Sequence, residues 1–131
     1  MKVVSVSTSK RVEFIDITSR IEEIIIKDKI NKGLCFIFCP HTTAGLTINE
    51  NADPSVRKDI IEQLEDMVPS DKSYSHSEGN ADSHVKASLM GSSLNVIIED
   101  SSLKLGTWQG IYFCEFDGPR KRQVYVKLVD C

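Results

Sequence analysis

Residues 122–129 read Arg-Gln-Val-Tyr-Val-Lys-Leu-Val. Val124, Val126 and Leu128 alternate with Gln123, Tyr125 and Lys127, the period of a strand with one buried face and one wet face, which is the habit of antiparallel sheets. Working outward, three further strand candidates precede it at 93–99, 103–105 and 110–117. Earlier still, Leu-Cys-Phe-Ile-Phe-Cys at 34–39 is a continuous apolar run of strand length that Pro40 stops. Leu46 and Ile48 suggest another strand after the His41–Gly45 turn, and 2–9 and 10–17 read as two short strands rich in Val and Ile.

Three helices fit between them. Thr18 or Ser19 begins the first, with Glu22 placed for a capping box; Ile21, Ile24 and Ile25 form its apolar stripe, and Asn31-Lys32-Gly33 ends it. Asp53-Pro54 starts the second, with an N-cap acceptor followed by proline; Val56, Ile60, Leu64 and Met67 are its buried stripe and Pro69 closes it. The third covers 81–90, with Ala81, Val85 and Leu89 on one face, Asp82 as a candidate cap and Gly91 as the stop. The order ββαββααββββ lacks the regular βαβ alternation of a parallel sheet. It predicts one α+β domain over 1–131: a mainly antiparallel β-sandwich, jelly-roll-like, with two or three flanking helices.

Composition narrows the function. The 131 residues are 40% hydrophobic and 27% charged, ordinary for a globular protein and too apolar for a disordered one. With 16 basic and 19 acidic residues the net charge is -3, which argues against a nucleic-acid partner. No apolar run approaches the roughly 20 residues of a membrane helix, and the N-terminus lacks the apolar stretch of a secretory signal. None of the cysteines Cys35, Cys39, Cys114 and Cys131 forms a CxxC pair, and the expected compartment is the reducing cytoplasm.

Three segments look like neither core nor plain turn: His41–Pro54, His76–His84 with Lys86 just beyond, and Leu105–Ile111 leading into Glu115 and the Gly118–Arg122 turn. All three histidines fall in the first two. Neutral imidazole is the commonest zinc ligand, and three ligands plus water make a catalytic zinc site. His41, His76 and His84 are therefore candidate ligands for a divalent metal, zinc before magnesium, although their spacing matches no short zinc motif and each ring could equally serve a loop hydrogen bond. Glu115, alone in an apolar strand, is the candidate acid or base, with His41 and Asp53 beside it; an N-cap role competes for Asp53. Arg120 and Arg122 suit phosphate oxygens, and Lys86 adds a third cation. Asn49, Asn51, Trp108 and Gln109 complete the candidate substrate contacts, the indole serving as a lid or stacking platform.

The stretches HTTAGLTINENADP (41–54), HSEGNADSHVKASLMG (76–91) and LGTWQGIYFCEFDGPRKR (105–122) resemble the YjbQ family in content and order across nearly the whole chain. The resemblance implies a β-sandwich with helices, assembled as a homotrimer whose site could draw on two chains. It also implies a secondary thiamine-phosphate synthase activity, which joins a pyrimidine diphosphate to a thiazole phosphate and releases pyrophosphate, and a divalent metal near the histidines at 41, 76 and 84. The partner expected is then a small phosphorylated substrate. A non-catalytic trimeric binder of an anionic metabolite and a metal-dependent hydrolase are the alternatives.

Overall fold

A computed structural model describes residues 1–131. The elements run β1 (Lys2–Ser7), β2 (Glu13–Asp16), α1 (Thr18–Lys27), β3 (Gly33–Phe38), β4 (Ala44–Glu50), α2 (Pro54–Met67), α3 (Ala81–Met90), β5 (Ser93–Glu99), β6 (Ser102–Leu103), β7 (Gln109–Glu115) and β8 (Lys121–Asp130). The expected α+β class and element order are those observed. Strands β1-β8-β3-β5-β6 form one sheet and β2-β7-β4 another, with every pairing antiparallel.

The two sheets enclose the main core, where Ile37, Leu46, Ile98, Ile111, Phe113, Val124 and Val126 meet Ile17, Ile21 and Ile25 from α1 and the residue before it. A smaller core lies on the other side of the three-stranded sheet, where Phe14, Tyr112, Cys114 and Phe116 are roofed by Leu64 of α2 and Ala87 of α3. Strand β7 is thus buried on both faces, which is why its sequence reads as an unbroken apolar run. Two edge strands are blunted by arginine: Arg20 donates to the Ser5 carbonyl of β1 at 2.7 Å, and Arg57 to the Phe14 carbonyl of β2 at 3.0 Å.

Four local expectations change. The capping box at α1 does not form: Asp16 accepts from Thr18 N (2.9 Å) and Thr18 Oγ1 (2.6 Å), while Glu22 reaches across to Leu103 N at 3.2 Å. That helix also ends early, at Lys27, with Lys29 in the left-handed region at φ 56°. In α3 the buried residues are Asp82, Ser83, Lys86 and Ala87, whereas Val85 and Leu89, read from the sequence as one apolar face, are 42% and 53% exposed. Met67 of α2 is exposed as well.

Candidate functional site

Four segments meet at one end of the three-stranded sheet: the β3–β4 connection, the loop before α3, the first turns of α3, and the β7–β8 turn. They line a cleft of about 430 Å³ with Pro40, His41, Thr42, Thr43, Glu78, Asn80, His84, Asp117, Arg120 and Arg122, none of them apolar except the proline. An adjoining hollow shares His41, Thr42 and His84 and continues over Ala44, Ala87, Ser88, Gly91 and Ser92.

His41 owes its place to the proline before it. The β3–β8 register pairs Phe38 with Tyr125, so the next rung would set Pro40 against Gln123. Proline has no N–H to give. The His41 ring fills the rung instead, its Nε2 accepting from Gln123 N at 3.0 Å and lying 3.1 Å from Gln123 O. Burial and the nearby Arg122 guanidinium lower its pKa, keeping the imidazole neutral at pH 7.

Glu115 ends β7 on its inward face and is fully buried. Its carboxylate accepts from Arg122 Nε (2.8 Å) and Arg122 Nη2, from Thr8 Oγ1 (2.8 Å) and from Asp117 N (3.1 Å). Burial by itself would push the carboxyl up; the bonds from Arg122, Asp117 N and Thr8 outweigh it and leave the pKa below the ordinary value. Expected as an acid or base, Glu115 is instead an ionised anchor whose oxygens are already spoken for. Arg122 is nearly buried too, with Nη2 also on Thr43 Oγ1 at 2.9 Å. These bonds use Nε and Nη2, and Nη1 takes part in none of them. Arg120 is half exposed and is held by Asp117, Nε to the backbone oxygen at 2.9 Å and Nη2 to the carboxylate at 3.1 Å. Asn80 donates to the same carboxylate at 2.8 Å, and its own Oδ1 is buried without a partner.

The remaining expected residues lie elsewhere. Lys86 is buried on the far side of α3 from the cleft, with Nζ 2.9 Å from Asp82 and 2.8 Å from Glu65. Asp82 also takes a two-pronged bond from Arg11, which explains why it is buried and not a helix cap. Asp53 is the N-cap of α2, accepting from Ser55 N and Oγ. Asn49 bonds locally to Glu50 N, Asn51 to Asp16, and Gln109 to Gly106 N; Trp108 stands 62% exposed. They sit at the opposite end of β4 and β7 from Glu115, about 20 Å away along the strand. Thr43 and Asn80 lie within two of the segments singled out in the sequence, though not as site residues themselves, while no regularity in the sequence marked Thr8.

His76 and His84 are paired edge to face with ring centres 5.2 Å apart, and His84 shares the cleft with His41. Yet no group of three His, Cys, Asp or Glu side chains is close enough to grip one ion, and His41 Nε2 is committed to Gln123. The residues as they stand do not make a three-ligand metal centre.

A two-sheet α+β domain carries, at one end of its smaller sheet, a polar cleft in which Arg122 is backed by the buried Glu115 and Arg120 by Asp117. The sequence matches the UPF0047 protein YjbQ-like family over residues 2–131, and the chain belongs to that family. It is 52% identical to a UPF0047 protein of Methanocaldococcus jannaschii over 95% of this chain and 90% of that protein, and 49% identical to YugU of Bacillus subtilis over 98% of each. Among solved structures, an uncharacterised YjbQ/UPF0047 protein of Clostridium acetobutylicum superposes with a TM-score of 0.96 at 53% identity, covering 98% of this chain and all of that one. A protein of unknown function from Sulfolobus solfataricus gives 0.94 at 32%, covering 99% and 96%.

Proposed function

We propose that this protein binds a small phosphorylated metabolite in the cleft between His84 and Arg120, and that thiamine-phosphate synthase-type transfer is a secondary activity of that site. The observation that carries the reading is the placing of two arginines, two imidazoles and the Thr42 and Thr43 side chains around one polar cleft beside the N-terminal end of α3. Guanidinium and helix-end N–H groups suit phosphate oxygens. The carboxylates behind the arginines orient them before any ligand arrives, which lowers the cost of ordering them on binding. In the synthase reaction the departing diphosphate carries the charge that such groups stabilise; the support for that particular chemistry is family resemblance. Two measurements test the reading: titration calorimetry with inorganic pyrophosphate and phosphate, and growth of a synthase-deficient host without thiamine. Binding with rescue supports both parts. Binding without rescue removes the transferase and leaves a metabolite-binding protein.

A divalent ion, zinc before magnesium, is proposed for the His76–His84 pair, which His41 would join only on leaving Gln123; metal content of untagged protein tests it. A homotrimer is proposed on the uncovered apolar face of the larger sheet. No helix is long and apolar enough to cross a membrane, and the cytoplasm is proposed as the compartment because all four cysteines are free thiols.

A further inference from the structure

Thr8 lies just past the end of β1, far in sequence from every cleft residue, and it touches both the Arg120 backbone and the Glu115 carboxylate that holds Arg122. The β1–β8 register pairs Ser7 with Lys121, so Thr8 falls opposite Arg120. Thr8 N donates to the Arg120 carbonyl at 3.0 Å, but the return bond from Arg120 N goes to the Thr8 hydroxyl at 2.9 Å. The hydroxyl in turn lies 2.8 Å from Glu115 Oε1, the oxygen that also accepts from Arg122 Nε. A hydroxyl has one proton to give and lone pairs to accept with. Here it accepts from the Arg120 backbone N–H and, with the Arg120 carbonyl 3.0 Å away as the weaker acceptor, gives its proton to the charged carboxylate that holds Arg122. The turn is built close around it: a Cβ on Gly118 would stand 2.8 Å from Thr8 Oγ1 and 2.9 Å from Glu115 Cγ.

We infer that Thr8 is a positioning residue of the anion site, fixing Arg120 and Arg122 relative to each other through its hydroxyl. The inference rests on the reading that the two arginines take an anion. Thr8 touches no ligand itself. Its hydroxyl sets the spacing of the Arg120 backbone and the Glu115–Arg122 pair, so the two guanidinium groups meet a phosphate as one rigid unit.

The test is calorimetric binding of inorganic pyrophosphate to the full chain as wild type, Thr8→Val and Thr8→Ser, with far-UV circular dichroism to confirm folding. Valine keeps the shape and removes the hydroxyl; serine restores it. Thr8→Val is expected to bind roughly tenfold more weakly, the scale of one hydrogen bond to a charged group, and Thr8→Ser within about twofold of wild type, a tolerance well under a single hydrogen bond. In an Arg120→Ala background, Thr8→Val is expected to add much less than it does alone, because one of the two groups it aligns is gone. Full effects that simply add overturn the inference, as does a folded Thr8→Val protein that binds like wild type. A wild type that binds neither pyrophosphate nor phosphate overturns the anion-site reading, and this inference with it. Should Thr8→Val not fold, the Arg122 Nε–H resonance in Thr8→Ser decides. An unchanged shift with retained binding supports the relay. A large shift with retained binding shows that the hydroxyl contact does not govern affinity and overturns it.

Discussion

Glu115 shows how a residue's chemistry depends on what stands behind it. A lone carboxylate in an apolar strand invites an acid–base role, but four hydrogen bonds keep this one ionised and fully engaged. Glu115→Gln would leave the Arg122 guanidinium buried opposite a neutral amide, and removing one member of a buried ion pair costs about 3–5 kcal/mol. Urea denaturation at pH 7 is expected to show a loss at or somewhat below that range, since the amide keeps part of the hydrogen bonding. The pH dependence has a definite sign. The folded pKa of Glu115 is below the ordinary 4.5, so its stabilising share is complete above about pH 5 and disappears as pH falls through the folded value. The stability gap between wild type and Glu115→Gln should therefore be constant from pH 7 to 5, narrow as pH falls below the ordinary 4.5, and vanish only beneath the folded value. A gap unchanged at pH 3 would contradict the ionised assignment.

Among the elements, α3 is inverted. Asp82, Ser83 and Lys86 face inward and Val85 and Leu89 outward. The inward face is held by ion pairs to Arg11 and Glu65 and by the Ser83 hydroxyl on the Phe116 carbonyl at 2.5 Å. Burial pushes the Asp82 carboxyl up, but the bonds from Arg11 and Lys86 win and keep it ionised. Lys86→Ala strands Asp82 without one of its partners and should cost about 3 kcal/mol, lowering the urea midpoint. Leu89→Ser, which helical periodicity would mark as the damaging change, should alter monomer stability by less than about 0.5 kcal/mol. The same denaturation series reads both, and the reverse ranking would mean that α3 packs the other way round. Asp53→Ala at the head of α2 should weaken that helix slightly and leave pyrophosphate binding untouched, because Asp53 serves only Ser55.

For the whole molecule, the larger sheet has one face with nothing of the chain over it. Cross-strand register sets Ile97, Leu34 and Val129 in one row, and Phe38, Tyr125 and Val3 in another, with Phe36 between them. Phe36, Phe38 and Ile97 are 43%, 46% and 54% exposed. Asn95 and Lys127 flank Phe36 in the middle row, and an exposed face carrying this many large apolar side chains suits a protein partner. Light scattering at micromolar concentration is expected to give about three times 14.7 kDa, and Phe38→Glu to return the protein to its single-chain mass by placing a charge in the covered face. A wild-type monomer would remove the trimer. The cleft itself is formed within one chain, since the segments carrying His41, His84, Arg120 and Arg122 all line it together.

The order and type of every element were legible in the sequence because alternation and helical spacing report, locally, which side of a segment avoids water. Val124, Val126 and Leu128 disclosed a half-buried strand without reference to anything else, and Asp53-Pro54 disclosed a helix start from its own two residues. Family membership was legible too, in three motifs that stand in order. What periodicity does not report is the partner. Lys86 reads as surface until Asp82 and Glu65 are brought around it, and Glu115 reads as a free acid until Arg122 and Thr8, 7 and 107 residues away, close on it. A buried charge is stable only with a counter-charge, and that counter-charge comes from whichever segment the fold delivers. The register of β1 on β8 and the seating of α3 on the smaller sheet are therefore what decided that His41, His84, Arg120 and Arg122 share a cleft, and that Asn51, Trp108 and Gln109 lie at the other end of the molecule.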